Sequence, residues 1–331
     1  MAPPWAAPAA SDVRRFPRTA TTLFFDPLAE PLAEVADGER IVVETADSLC
    51  GLARAEAPRG LHIDEVLERL GGACPVTGPF HLSGARPGDV VEVELHRVEP
   101  SPAAGEAWTG IFGGFGALRQ EGFAVQELRL VPYRDGVASF PCRGGTVAVP
   151  LRPFLGTVGV APRRERRLSF SQSPEYLGDV DQPALTAGAT LRLPVNVEGA
   201  LVAFGDAHGA QGDGEITGAA VELEAEVELT MRVRSRDEAG FVALPQLDTA
   251  EAIGSLAGLQ GASLTDCARA AYLDLVHRLV RAHGFSPADA YQLLGQVGRL
   301  RVGNMVDPFC SVLASVERRH LEPGGGTAFA R

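Results

Sequence analysis

The chain has 331 residues, 45% of them hydrophobic and 22% charged, with 38 glycines and 24 prolines. That is too apolar for a disordered chain and long enough for one large domain with a sizeable core. The net charge of −12 argues against a nucleic-acid partner, and all 30 basic residues are arginine, which excludes a lysine Schiff base, a Walker-type phosphate loop and lysine-centred amide cleavage.

Residues 1–20, rich in Ala and Pro, are expected to form a loose arm, and they lack the basic start and apolar run of a secretory signal. From there to about residue 260 the pattern is strand and turn. Arg40–Thr45 (RIVVET) is a β-branched run, and residues 89–95 (DVVEVEL) alternate Val and Glu after the turn Arg86-Pro87-Gly88-Asp89. Residues 187–194 and 200–204 read as two further strands. In residues 220–233, Val221, Leu223, Ala225, Val227, Leu229, Met231 and Val233 share one face, and Glu222, Glu224, Glu226 and Glu228 the other. That acidic stripe reads as a solvated face rather than a cation site.

Beyond residue 263 the period changes. Ala268, Tyr272, Leu275, Val276, Leu279 and Val280 recur at helical spacing, Gly284 caps the end, and Ser286-Pro287 opens a second helix through about residue 300. Asp307-Pro308 breaks the chain, residues 311–316 return as a strand, and residues 321–331 form a flexible tail. The expected fold class is mainly β with a C-terminal helical hairpin, as a single domain over residues 21–320.

No stretch approaches the roughly 18 consecutive apolar residues of a membrane helix. Cys50, Cys74, Cys142, Cys267 and Cys310 are widely spaced, odd in number and free of any C-x-x-C, so they read as reduced thiols. The expected compartment is the cytoplasm, with no membrane partner.

One stretch stands apart. Residues 205–218 (GDAHGAQGDGEITG) carry Asp206, His208, Gln211, Asp213, Glu215 and Thr217, separated by glycines and flanked by two apolar strands. In an extended segment Asp206 and His208 share one face, and a carboxylate and an imidazole at that spacing can bind one divalent ion. Glu215 is then a further ligand or the base that activates water. Backbone N–H groups of residues 212–214 are candidates for an oxyanion site. The competing reading is a glycine-rich turn whose Asp and His bond the backbone. A calcium loop is a further alternative, though His208 is a poor calcium ligand. Two more acidic pairs, Asp179-Val180-Asp181 and Glu44 with Asp47, matter only if they converge on His208.

The stretch resembles the signature of the acetamidase/formamidase family, Gly-Asp-x-His-x-x-Gln-Gly-Asp-Gly-Glu. The resemblance spans nearly the whole chain: Glu44-Thr45-Ala46-Asp47, Pro75-Val76-Thr77-Gly78-Pro79, Gly113-Gly114-Phe115-Gly116, residues 150–156 and the block from Ser286 to Pro308 are also similar. It implies a β-sandwich related to jelly rolls with large insertions, a homo-oligomer, and hydrolysis of short linear amides to ammonia and a carboxylate. Asp47, Asp181, Asp206 and His208 would hold a divalent metal, zinc before calcium. Glu215 would be the general base, with Asp213 and Gln211 completing the catalytic set. There is one departure. Where the family has His-Gly-Gly-Asn-x-Asp, this chain has Tyr176-Leu177-Gly178-Asp179-Val180-Asp181. One pocket wall is therefore expected to differ. Alternatives are a metal-free hydrolase using Cys50 or Cys74 and a non-catalytic member that binds a small ligand.

Overall fold

The computed structural model describes residues 13–57, 59–102, 105–121, 126–240, 242–306 and 310–321. Two large β-sheets face each other across one apolar core. The nine-stranded sheet runs Arg14–Phe16, Arg40–Thr45, Ala225–Arg234, Val90–Pro100, Thr190–Pro194, Gln246–Asp248, Ala252–Gly258, Ser311–Glu317, Arg299–Asn304. The twelve-stranded sheet is centred on Val202–His208, which pairs antiparallel with Phe154–Gly159, with Val76–Leu82 and with Glu222–Leu223. Alternate apolar residues of both sheets meet between them: Val91, Val93, Leu191 and Leu229 from the first, Phe80, Leu155, Phe204 and Leu223 from the second. The mainly β class expected from the strand patterns is what the chain adopts.

The alternation that marks residues 220–233 produces two strands, not one. Glu222–Leu223 belongs to the twelve-stranded sheet and Ala225–Arg234 to the nine-stranded one, so the chain changes sheets at Glu224. The consequence for the glutamate stripe is sharp. Glu224, Glu226 and Glu228 face arginines (Arg54, Arg15, Arg40 and Arg97 among them), whereas Glu222 is 2% exposed.

The helical hairpin is present as Leu264–His283 and Pro287–Val297, capped by Ser263 and Ser286 at their starts and by left-handed Gly284 after the first. Cys267, Ala271, Leu275 and Leu279 bury against Ile253, Ala257, Val312 and Ala314, so the pair covers the far end of the nine-stranded sheet. The second helix stops at Val297, short of residue 300, because Arg299–Asn304 is needed as an edge strand. Three helices have no forerunner in the sequence pattern: Leu52–Glu56, Ile63–Leu70, which starts at His62, whose ring accepts from the Asp64 N–H, and the short Arg236–Ala239. The first two pack with Trp108, Phe112 and Leu128 in a separate apolar cluster.

Part of the stretch expected to be a loose arm over residues 1–20 is ordered strand. Arg14–Phe16 is a strand parallel to Arg40–Thr45, held by Arg14–Glu39 and Arg15–Glu226 ion pairs. Residues 1–12, the break at Asp307-Pro308 and all but Leu321 of the expected tail lie outside the described residues. No helix among the described residues is long and apolar enough to cross a membrane.

A buried ionic knot ties the hairpin to the sheet. Asp248 accepts from Arg278 at 2.8 Å and Arg192 at 2.6 Å, and Arg278 also donates to the Gly254 carbonyl. Burial opposes the Asp248 charge, but Arg278 and Arg192 outweigh it and hold the carboxyl below its ordinary value. Its contribution is therefore complete above the unfolded value near pH 4 and is lost as pH falls through the folded one. Asp248→Asn should cost about 3 kcal/mol at pH 7 by leaving Arg278 unpaired. Thermal melts should show the gap to the parent protein shrinking below about pH 4; a gap that stays constant with pH would show that the charge is not what stabilises the knot.

Candidate active site

The strand Val202–His208 runs through the middle of its sheet and is buried at every position. Asp206 and His208, two residues apart, emerge on the same face, as their spacing requires. His208 Nε2 lies 3.3 Å from Asp206 Oδ1, 3.5 Å from Glu222 Oε1 and 3.9 Å from Asp181 Oδ1. Glu215 arrives from the glycine-rich turn, and its carboxylate stands within one ligand sphere of His208 and Glu222. Asp179 joins from the strand Leu177–Asp179, which lies beyond Phe154–Gly159 in the same sheet, close to Cys74 and Asp206. All five carboxylates and His208 are at most 8% exposed.

The tautomer of His208 is fixed by its neighbour. Gln211 donates both amide protons, to the Asp181 carbonyl at 2.8 Å and the Gly303 carbonyl at 2.9 Å. Its Oε1 is therefore an acceptor and takes the Nδ1 proton of His208 at 2.7 Å. Nε2 is left pointing into the carboxylates. The other polar partners are neutral: Ser48 donates to Glu222 at 2.7 Å, Asn304 to Asp181 Oδ2 at 2.7 Å, and Thr157 to Asp179 while lying 3.2 Å from Asp206 Oδ2. Asp181 Oδ1 and Asp206 Oδ1, both beside Nε2, have no hydrogen-bond partner.

So dense a set of acids cannot all ionise in a desolvated site. Burial, then the neighbouring carboxylates, push Asp179 and Glu215 well above the ordinary range. Burial raises Glu222 to about 8 and Asp181 to about 6. His208 goes the other way from a buried imidazole: burial disfavours its charge, but Glu222 and Asp206 prevail and raise it. Asp206 is the one held low, by His208 against its own burial.

Close approach at the centre depends on Gly156. A Cβ there would stand 2.7 Å from Asp181 Oδ1 and 2.8 Å from Asp206 Oδ2. Asp181, Asp206, Glu215 and Cys74 all have positive φ, between 45° and 54°. Such backbone strain concentrates at functional sites, where the surrounding fold overrides it.

Several residues singled out in the sequence stand elsewhere. Asp47 is buried but outside the group: its carboxylate accepts from the Leu49 and Gly51 N–H groups and shapes the turn that carries Ser48. Asp213 is at the surface, in an ion pair with Arg301 at 2.8 Å. Gln211 is a positioning residue acting through His208. Of the N–H groups of residues 212–214 considered for an oxyanion, that of Gly214 donates to the Val302 carbonyl. Glu222, which the sequence reading left on a solvated face, is part of the centre. Tyr176 and Leu177 are not on the cavity wall: Tyr176 bonds Ser171 and packs on Phe25, and Leu177 is core. Of the altered stretch, Asp179 and Asp181 line the cavity. Cys74 is a poor nucleophile because burial and then Asp179 drive its thiol well above the ordinary value, and Cys50 is raised by burial and Asp47.

A buried histidine ringed by carboxylates, two of whose oxygens lack a partner, in a cavity also lined by apolar side chains, is a donor set that could hold a divalent cation. The chain belongs to the acetamidase/formamidase family, whose model matches residues 24–177 and 172–314. It is similar to the crystal structure of an acetamidase from Bacillus halodurans, at 28% identity and a TM-score of 0.83, covering 94% of this chain and 99% of that one. An acetamidase from Yersinia enterocolitica is similar at 27% identity and a TM-score of 0.82, covering 95% and 94%. A formamidase-like protein of Schizosaccharomyces pombe is 24% identical over 210 residues, 48% of this chain and 51% of the relative, so that match spans about half of the curated protein.

Gly156→Ala should crowd the centre and destabilise the protein by about 1–3 kcal/mol, read as a lowered Tm. An unchanged Tm would mean that Asp181 and Asp206 move apart at no cost.

Proposed function

We propose that the protein is an amidohydrolase that splits the C–N bond of linear carboxamides, releasing ammonia and a carboxylate. The observation that carries this is the pair of partnerless oxygens, Asp181 Oδ1 and Asp206 Oδ1, flanking His208 Nε2 inside the cavity. Asp181, Asp206 and His208 suit one divalent cation, and the mixed nitrogen and oxygen donors favour zinc over calcium. When bound, such an ion polarises a carbonyl and lowers the pKa of water to about 7.

The chain's own residues supply the rest. Gln211 holds the ring so that Nε2 faces the centre. Ser48 and Asn304 fix the second oxygens of Glu222 and Asp181. Glu215 is the base. Burial and the neighbouring Asp181 raise its proton affinity above the ordinary carboxylate range, the direction a proton acceptor needs. It takes a proton from water as the water oxygen bonds to the carbonyl carbon, and delivers it to the nitrogen as the C–N bond breaks. We assign the protein to the cytoplasm, in line with five cysteines that are all free. We also infer a homo-oligomer, since Leu273 and Tyr291 leave apolar surface on the helical hairpin 58% and 73% exposed.

Glu215→Gln should lower kcat by about 10²–10⁴ with metal content close to that of the parent protein. His208→Ala should lower both. Ammonia release and elemental analysis of the purified proteins provide the check, and a His208→Ala protein with full metal and full activity would sink the assignment. Cys50→Ser and Cys74→Ser should each retain turnover; loss of turnover in either, with the fold intact, would return the cysteine mechanism.

A further inference from the structure

The cavity above the carboxylates is far larger than a short amide requires. Its volume is about 480 Å³. A water molecule takes about 30 Å³ of liquid, so the space corresponds to roughly 16 waters, and acetamide fills about a fifth of it. Much of the rest of its lining is apolar. Ile63 and Leu67 come from the helix Ile63–Leu70, Trp108 from the strand Glu106–Ile111, Phe112 and Phe115 from the glycine-rich loop that follows, and Phe170 from the far side. Gln260 and Arg119 line the space as well.

The wall is built with the same tight tolerances as the centre. Trp108 and Phe112 meet edge to face at 6.1 Å. A Cβ on Gly113 would stand 2.7 Å from the His62 ring, so the loop is pressed against the start of the helix. A Cβ on Gly218 would stand 2.4 Å from the Phe115 ring, and the Ala117 N–H donates to the Ile216 carbonyl at 2.9 Å. The aromatic wall therefore rests directly on the turn that carries Glu215.

We propose that the substrate is a primary carboxamide bearing a bulky apolar acyl group, of the size of a benzyl side chain, rather than formamide or acetamide. This rests on the amide-hydrolysis reading. The acyl group covers Ile63, Leu67, Trp108, Phe112 and Phe115, while the amide reaches the acidic end, where an NH₂ offers two donors to carboxylate oxygens. An apolar wall next to the reacting group lets binding of a remote part of the substrate hold the carbonyl in place, which a short amide cannot exploit. An acid-rich floor also disfavours substrates that carry a negative charge.

The test compares phenylacetamide with acetamide, by ammonia release from zinc-loaded enzyme and by calorimetric binding to the Glu215→Gln protein. Phenylacetamide should have a kcat/KM at least about 30-fold higher and bind at least tenfold more tightly. Ile63→Trp, which fills the wall, should cut both ratios several-fold. Acetamide turned over as well as or better than phenylacetamide would overturn the proposal and leave amide hydrolysis standing. Ammonia from neither compound would overturn hydrolysis itself, and the binding ratio would then still decide what the wall accepts: phenylacetamide binding no tighter than acetamide overturns the inference with or without turnover.

Discussion

The structure is organised around the burial of five carboxylates against one imidazole. Asp179, Asp181, Asp206, Glu215 and Glu222 are drawn from three strands and two loops into one cluster where each is at most 8% exposed. His208 can carry at most one positive charge, which cannot offset five negative ones. The site must take up protons, a metal ion or both. The hydroxyls and amides of Ser48, Thr157 and Asn304 can orient the acids but cannot neutralise them. The fold tolerates the arrangement because a large apolar sandwich surrounds it, and that same sandwich overrides the left-handed backbone at Asp181, Asp206 and Glu215.

Elsewhere the chain treats acids differently. Having no lysine, it neutralises its exposed glutamates with arginine, whose planar fork can bridge two carboxylates at once. Arg97 touches Glu99 and Glu228, Arg15 touches Glu44 and Glu226, and Arg192 joins Glu92 to Asp248. These pairs knit the outer face of the nine-stranded sheet and anchor the helical hairpin. Glu222 and Glu224 are neighbours on the same sequence stripe, yet one belongs to the bare cluster and the other to the arginine-covered face.

That split explains how much could be read in advance. Alternation with period two gave away the long strands, and the caps at Ser263, Ser286 and Gly284 gave away the hairpin, because those are local signals. Asp206, His208 and Glu215 were legible from their spacing among glycines. Glu222 was not: the two strands differ in which sheet they join, and nothing in a run of alternating Glu and apolar residues marks the change at Glu224. Asp47 failed for the opposite reason. Its sequence context singles it out, but a carboxylate two and four residues before free N–H groups is also the ideal acceptor for a turn, and the turn takes it. Asp213 sits in the signature stretch, but the turn carries it outward to Arg301.

The changed stretch at Tyr176–Asp181 shows why a departure in sequence need not be a departure in chemistry. Tyr176 and Leu177 face the core, where the tyrosine hydroxyl finds Ser171 and the leucine tolerates a φ of 74°. Such a change alters packing beneath the site, not the surface a substrate meets. Only the carboxylates of the stretch reach the cavity, so its effect is carried by charge. The shape of the cavity is set by other elements, the helix Ile63–Leu70 and the loop bearing Phe112 and Phe115. Acid centre and apolar wall thus lie on separate parts of the chain. The strands that hold His208 and Asp206 need not move for the wall to be resized, and a fold arranged in this way can change the acyl group it accepts while keeping the same centre.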